Sequence, residues 1–466
     1  MSSRTQGVRG TNATDVASPH PEPRFAYHPD TLRQLAADLL NLAKKGGASA
    51  THVDISEGFG QTVSVRHLDV ENIEFHRDKG IGVCVYLGQK RGYASTSDFS
   101  PEALRQTVGA ALDIARHTAE DDAAGLPEPE LLARDCPDLD LYHPWSLSTE
   151  DAIELAKSGE AAAFDHSERI NNSEGASVSR HESHFIAANS AGFTGGFATS
   201  NHSINCSVIA EFGGVKERDF WYSANRNAQR LETPQAVGTK AAERTLARLD
   251  ARRAKTGEWP VLFEAPLAAG LLGSLVRATS GDLLYRNASF LRDSLGKPLF
   301  RDFIQLKECP HLPGDRASTP FDSEGVATRD REVVQDGTLQ AYFLSVYTAR
   351  KLGMKTTGNA GGSHNLLLQT GDENLPTLFK RMDRGLFVTE LLGQGINYVT
   401  GDYSRGAAGF WIENGEIAYP VQEITIAGNL RDMFANIVAV GNDVDRRGAK
   451  QTGSILIERM AVAGES

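Results

Sequence analysis

The chain has 466 residues, of which 40% are hydrophobic and 23% are charged, so it is long enough for two or three globular domains. Its net charge is -12 and no dense basic stripe is visible, which argues against nucleic acid as a partner because an acidic surface repels phosphate. The four cysteines stand far apart without a CxxC motif, which argues against a cysteine-rich metal or redox site and favours a reducing compartment.

The first 29 residues are polar and contain no apolar segment of the kind found in a secretory signal. We therefore expect residues 1–29 to be disordered. The longest apolar stretch, 261–276, is interrupted by Glu264 and Pro266 and is too short to cross a bilayer. These features predict a cytoplasmic protein that does not bind a membrane.

Residues 30–254 alternate between helical and strand patterns. Leucines recur on one face of a predicted helix at 30–43, and similar signals predict helices at 101–117, 149–164 and 233–253. Alternating apolar and polar residues predict strands at 52–57, 61–68, 72–77, 81–87 and 91–97, with a turn at 78–80, and a second strand region at 169–225 with turns at 190–192 and 213–214.

The second half, 255–466, has stronger hairpin signals. Asp336-Gly337 and Asn414-Gly415 each lie between apolar runs and are typical of type I′ turns. Helices are predicted at 266–279 and 345–352. Because the strands cluster and the helices cluster without regular βαβ alternation, we predict an α+β fold of two domains, 30–254 and 255–466, each with a largely antiparallel β-sheet and packed helices.

Two short motifs resemble parts of catalytic signatures. Ser404 follows Gly401, but a serine-hydrolase elbow needs glycine at position 402, where this chain has aspartate. A tight turn and a polar loop that contacts peptide are both compatible with this string. His181 and His184 flank an HE pair, but they are three residues apart in a segment that alternates like a strand, so they should point to opposite faces and cannot share one ion.

Polar residues among the glycines of the second half form a further set. Such carboxylates and amides can act as acids, bases or ligands, but they also cap turns, and their spacing leaves both interpretations open. A zinc site rich in His and Cys cannot form here, because only His364 follows residue 311 among the histidines and no cysteine follows Cys309. The candidates for substrate or interface contact are Asp322, Glu324, Glu390, Gln394, Asn397, Ser404, Arg405 and Glu423.

Four long strings of this chain resemble the TldD/PmbA family, and specifically its PmbA (TldE) branch. They are 188–211, 320–360, 388–434 and 436–464, and the resemblance covers nearly the whole chain from residue 30 onward. The family is known as a two-subunit protease that cleaves unfolded peptides and matures peptide antibiotics. The resemblance therefore implies peptide hydrolysis by a complex to which this chain belongs.

The resemblance also implies that this chain lacks the zinc site. In the TldD branch a helix supplies the motif HExxxH, and a cysteine follows the string VGND. The matching helix here, 269–282, has Gly273, Ser274 and Ala278 at the positions of the two histidines and the glutamate, and no cysteine follows 440–443. We therefore expect no catalytic residue, metal or other cofactor in this chain, and zinc in a TldD-type partner subunit.

The function implied is that of the zinc-free subunit of a cytosolic heterodimeric metalloprotease for unfolded peptides, with a homodimer as a further state when the chain is alone. Segment 390–415 is expected to hold peptide by strand addition. Two other functions stay open. The chain could be a non-proteolytic peptide-binding or regulatory module, or an independent hydrolase that uses Ser404 or a carboxylate metal site.

Overall fold

The computed structural model describes residues 24–464. Residues 1–23, most of the segment predicted to be disordered, lie outside the described part. Residues 24–29 are packed, because the backbone N–H groups of Ala26 and Tyr27 donate hydrogen bonds to the buried Glu57 carboxylate at 2.8 and 3.1 Å. The folded chain therefore begins before residue 30.

The first half of the chain forms one antiparallel sheet with helices. Its strand order is β3-β2-β1-β4-β6-β7, with the short β5 paired to β4. In chain order the elements are α1 (Pro29–Lys45), β1 (Ala50–Arg66), β2 (Asp69–Leu87), β3 (Lys90–Thr96), α2 (Pro101–His117), α3 (Thr149–His166), β4 (Ile170–Asn189), β5 (Thr194–Gly195), β6 (Ala198–Phe212), β7 (Val215–Asn225) and α4 (Pro234–Ala247).

The four helices of this half pack against one face of the sheet, as the alternate residues of β1 show. Val53 and Ile55 pack with α1 and α2, while Val63 and Val65 pack with α3 and α4. Side chains two residues apart on a strand share a face, so the helices α1 to α4 cover the same side. The opposite side is free to face the second half of the chain.

The predicted turn at 78–80 is wrong, because β2 runs through it without interruption. The chain reverses instead at His67 and Leu68, whose φ angles are 52° and 61°. The buried carboxylate of Glu160, on α3, accepts hydrogen bonds from both of their backbone N–H groups at 3.0 and 2.7 Å. A tertiary contact thus stabilises a turn that has neither Gly nor Asn and that local sequence does not reveal.

The helix predicted to end at residue 253 ends at Ala247. Asp250 then adopts a positive φ of 63°, which breaks the helical path. The backbone N–H of Arg252 donates to the carbonyl of Pro420 at 3.0 Å, so the chain joins the second half at this point.

The second half contains two sheets. In chain order its elements are β8 (Gly257–Phe263), α5 (Ala265–Ala278), α6 (Gly281–Tyr285), β9 (Leu306–Glu308), β10 (Arg331–Gln335), β11 (Thr338–Leu339), α7 (Val346–Leu352), β12 (Leu366–Leu368), α8 (Leu375–Met382), β13 (Gly385–Leu392), β14 (Asp402–Glu413), β15 (Glu416–Asn429), α9 (Leu430–Ala435), β16 (Ile437–Val440), β17 (Lys450–Gln451) and β18 (Ile455–Ala463). The strand orders are β11-β10-β9-β12-β17 and β15-β14-β13-β8-β18-β16, and a further β15–β18 pairing closes the second sheet on itself.

The predicted hairpins of this half are confirmed. Asp336 and Gly337 have φ angles of 47° and 70° between β10 and β11, and Asn414 and Gly415 have 54° and 74° between β14 and β15. The helices predicted at 266–279 and 345–352 correspond to α5 and α7, and Ser345 caps α7 with a capping box. The short helices α6, α8 and α9 were not predicted.

The α+β fold class is confirmed, with sheets that are antiparallel except at the β8–β13 and β12–β17 pairs. The two halves meet at Phe321, whose ring packs edge-on against Phe193 of the first half at a centroid distance of 4.9 Å. Within residues 24–464, no helix is both long and apolar enough to cross a membrane. The four cysteines form no disulfide.

Candidate functional site

Helix α5 lies beside a cavity of 480 Å³ in the second half of the chain. Pro266 occupies its first turn, and Leu271, Leu272 and Leu275 fix its position in the core. The cavity is bounded by α5, by the start of α6, by α7 and by a glycine-rich loop at 359–362.

Of the three positions of α5 that the resemblance assigns to missing zinc-site residues, one faces the cavity. Gly273 lines it, while Ser274 and Ala278 are buried. The Ser274 hydroxyl donates to the carbonyl of Gly270 at 3.0 Å, as helical serines often do. The Ala278 carbonyl accepts a hydrogen bond from the Ser289 hydroxyl. Two of the three positions therefore have structural roles in this chain.

The side chain of Lys450, the first residue of β17, passes over Gly273. A Cβ built on Gly273 would lie 3.8 Å from Lys450 Cε, which is ordinary van der Waals contact. Burial lowers the pKa of Lys450. An ammonium group thus occupies the side of α5 that faces the cavity.

The glycine-rich loop is held to the core by Glu308, which is 1% exposed. Its carboxylate accepts hydrogen bonds from Asn359 Nδ2 at 2.9 Å and from the backbone N–H of His364 at 2.7 Å, and it pairs with Arg331 at 2.6 Å. Gly361 has a φ of 101°, and a Cβ there would lie 2.6 Å from the Ser323 hydroxyl, so only glycine fits.

Asp322 and Glu324 are brought together beneath this loop. The Asp322 carboxylate accepts hydrogen bonds from the backbone N–H groups of Glu324, Val326 and Ala360, all near 3 Å. Glu324 accepts from the N–H of Val346 at 2.8 Å, at the start of α7. Burial raises the pKa of both carboxyl groups, that of Glu324 from 4.5 to about 7. Their bonding partners make them organisers of the loop.

A second cavity, of 360 Å³, lies on the other side of residues 360–362. It is lined by Asp54 and Ala187 from the first-half sheet and by Phe321 and Asp322 from the second half. The glycine-rich loop is therefore the shared wall between the cavity beside α5 and the junction of the two halves.

Glu390 lies elsewhere, in a cluster of ion pairs that joins the two halves. Its carboxylate pairs with Arg248 of α4 at 2.6 Å and lies 3.8 Å from Arg218 of β7. Glu423 is on the outer surface, where it pairs with Arg253 at 2.7 Å. These contacts place both glutamates away from the cavity beside α5.

Gln394 and Asn397 belong to the exposed loop that joins β13 to β14. The Asn397 side chain accepts from the N–H of Val399 at 3.0 Å, as a turn-capping residue does. The carbonyl of Gly395 accepts from the N–H of Ser404 at 2.7 Å, so the loop lies along β14. The neighbouring Arg405 has a buried Nε without an acceptor among residues 24–464.

Strand addition is not available at β14, which lies within the segment expected to hold peptide. Its residues 402–413 pair with β15 along their length, and 406–412 also pair with β13. On the edge at 402–405, Gly395, Ile396 and Asn397 of the preceding loop cover residues 402–404. A peptide could add to this region only if that loop moved.

The two partial catalytic motifs find no catalytic partners. Ser404 is exposed, and its hydroxyl forms no hydrogen bond with a histidine or a carboxylate in the described chain. The strand predicted around His181 and His184 is confirmed as β4. His181 contacts His76 at 3.0 Å, and His184 contacts Glu57 at 3.3 Å on the opposite face. Within residues 24–464, no three His, Cys, Asp or Glu side chains converge as metal ligands.

A third cavity, of 720 Å³, lies in the first half and is mainly apolar. The charged groups beside it are paired, with Arg24 bonded to Glu182 and His184 to Glu57. No residue of α5 lines this cavity.

The sequence prediction missed Lys450 and Asn359, which line the cavity beside α5. The Gly361-Gly362 pair was the only local signal, since adjacent glycines often mark close approach of a backbone to a ligand. Lys450 carries no local signal, because its position depends on the pairing of β17 with β12.

Three family profiles match successive parts of this chain. They are described as PmbA/TldA metallopeptidase domain 1, over residues 53–115, the central domain, over 142–249, and the C-terminal domain, over 256–464. A relative from Escherichia coli O157:H7, described as metalloprotease PmbA, is 48% identical over 93% of this chain and 96% of its own length.

Solved structures are similar over the same length. A Bacteroides thetaiotaomicron protein titled as a proposed modulator of DNA gyrase superposes with a TM-score of 0.89 at 28% identity, over 94% of this chain and 99% of its own. TldE from Thermococcus kodakarensis superposes with a TM-score of 0.80 over 92% of this chain and all of its own. At 20% identity, this second likeness bears on the fold alone.

Proposed function

The chain belongs to the PmbA/TldD metallopeptidase family, and from that premise we propose that it is the zinc-free subunit of a cytosolic two-subunit protease for unfolded peptides. A TldD-type subunit would carry the zinc and the general base, and this chain would complete the enclosure around substrate.

The observation that carries the proposal is the chemistry of α5. Zinc-dependent hydrolysis needs ligands for the ion and a carboxylate that takes a proton from the bound water. Gly273 and Ala278 have no ligand atoms, and the Ser274 hydroxyl is engaged with the Gly270 carbonyl. The Lys450 ammonium beside Gly273 would repel a divalent cation. These features support a role without metal for this helix.

The fold supports a role as a partner subunit. The second half is built as a closed sheet with α5 against it, so it can present the same framework as a zinc-bearing relative without the chemistry. The four unpaired cysteines are in keeping with a reducing cytosol. The proposal includes a homodimer as a further state of the chain when it is alone.

The test is to assay a disordered peptide with the purified chain, with a TldD-type subunit and with both together. We expect cleavage by the mixture, loss of cleavage on chelation, and no cleavage by this chain alone. Size-exclusion chromatography should show a stable 1:1 complex. Zinc-dependent cleavage by the lone chain would contradict the proposal, and absence of a complex would favour a separate peptide-binding module.

A further inference from the structure

We propose that the cavity beside α5 binds the C-terminal carboxylate of a peptide, through the ammonium of Lys450 and the side chain of Asn359. This inference rests on the proposed function for the identity of the ligand as a peptide. The inference assigns a peptide-binding site to the subunit that is proposed to lack zinc.

Lys450 is a cation that lacks a partner. Its ammonium has no hydrogen bond or ion pair with any residue of the described chain, although it is half-buried. The acidic residue that lines the cavity, Asp282, is already paired with Arg277 at 2.8 Å. Burial lowers the pKa of Lys450, and no carboxylate offsets this effect. A bound anion would supply the missing charge.

Asn359 has a side-chain oxygen that can accept a further hydrogen bond. It is 5% exposed, and its Oδ1 atom receives no hydrogen bond from residues 24–464. The orientation of the amide is fixed, because Nδ2 donates to Glu308 at 2.9 Å and to the Gly362 carbonyl at 3.1 Å. Buried acceptors are almost always satisfied in folded proteins, so an N–H donor from a ligand is expected here.

A peptide C-terminus offers both groups at once. The terminal residue carries a carboxylate, which an ammonium prefers, and its own backbone N–H lies only a few bonds away. A sulfate ion would satisfy Lys450 but has no donor for Asn359, whereas a hydrogen phosphate ion carries an O–H donor. The combination therefore favours a peptide end over anions that lack a donor, and competition by phosphate is the comparison that separates the two remaining ligands.

The cavity has room for such a ligand. Its volume of 480 Å³ is within the range of about 300–1,000 Å³ that is typical of small-ligand sites. Gly273 and Gly362 line it without side chains, and a Cβ at Gly362 would meet nothing within 4 Å. The bare backbone of the glycine-rich loop can therefore approach the ligand closely.

The experiment compares two forms of one short unstructured peptide, with a free C-terminal carboxylate or with a C-terminal amide, for binding to the full-length chain by calorimetry. We expect the free acid to bind about tenfold more tightly, as one charge-assisted hydrogen bond predicts. Lys450→Met should abolish this preference, whereas Lys450→Arg should retain most of it. Lys297→Met, which removes an exposed lysine outside the cavity, is the matched control and should change nothing.

Thermal unfolding of each variant checks that it folds. Lys450→Met should be as stable as the parent or more stable, because it removes a half-buried charge without a partner. Equal binding of acid and amide, absence of binding by both, or an unchanged preference in Lys450→Met would overturn the inference. Competition by inorganic phosphate as strong as by the free-acid peptide would also overturn it. None of these results affects formation of the two-subunit protease, which the cleavage and chromatography assays test separately.

Discussion

Three buried carboxylates in this protein fix the backbone of turns and loops. Glu160 fixes the turn between β1 and β2, Asp322 fixes the glycine-rich loop, and Glu308 links that loop to the core. Each is nearly or fully buried, and each accepts hydrogen bonds from backbone N–H groups. Residues of this kind look like candidate acids or bases in a sequence, but the surrounding donors assign them a structural role.

Glu324 should make stability depend on pH. Burial raises its pKa from 4.5 to about 7, so the folded protein favours the protonated form. The stability that protonated Glu324 contributes to the folded state is fully present below pH 4.5 and is lost as the pH rises through about 7. The unfolding free energy of Glu324→Gln minus that of the parent should therefore increase by about 2 kcal/mol as the pH rises from 5 to 8. Denaturant unfolding across this range is the measurement, and a constant difference between the two proteins would contradict the assignment.

At the scale of elements, glycines decide how closely α3 and α4 approach. A Cβ on Gly238 would lie 1.8 Å from the carbonyl oxygen of Gly159, a distance that no packing tolerates. Both glycines lie within helices, where helix propensity alone would favour alanine. The contact between the two helices overrides that preference.

Gly238→Ala should destabilise the protein by about 1–3 kcal/mol, because the helices must move apart. The matched control is Gly109→Ala in the middle of α2, where a Cβ would meet nothing within 4 Å. That substitution should stabilise by up to about 1 kcal/mol through helix propensity. Chemical denaturation of both variants is the test. Effects of the same sign would show that Gly238 does not determine how closely α3 and α4 approach.

At the scale of the whole molecule, partly buried ion pairs join the two halves. Arg244 of α4 forms a bidentate pair with Glu264, which precedes α5, at 2.6 and 3.1 Å. Asp219 lies 3.5 Å from the same guanidinium, and the neighbouring Arg248 pairs with Glu390. The position of α5 relative to the first half thus depends on charges contributed by both.

Glu264→Gln should cost about 2 kcal/mol, since it leaves the Arg244 charge incompletely paired in a partly buried place. A double-mutant cycle with Arg244→Met should give a coupling energy above about 1 kcal/mol. Arg253 and Glu423 are an exposed pair between the same halves, and their coupling should stay below about 1 kcal/mol. Equal couplings for the two pairs would contradict a special role for the partly buried cluster.

Local sequence was sufficient for the fold class, for the amphipathic helices and for the two glycine hairpins of the second half. Apolar periodicity and turn residues act over a few neighbours, so they can be read without the rest of the chain. The proposal that α5 carries Gly273, Ser274 and Ala278 where a zinc helix would need ligands rests instead on the resemblance to the TldD/PmbA family.

Only the tertiary structure decided the turn at His67 and Leu68, the end of α4 and the composition of the cavity beside α5. In each case the deciding partner is far away in sequence: Glu160 for the turn, Pro420 for the chain after α4, and α5 for Lys450. The free energy of a buried hydrogen bond or charge depends on which groups surround it in space, and neighbours in the chain do not specify those groups.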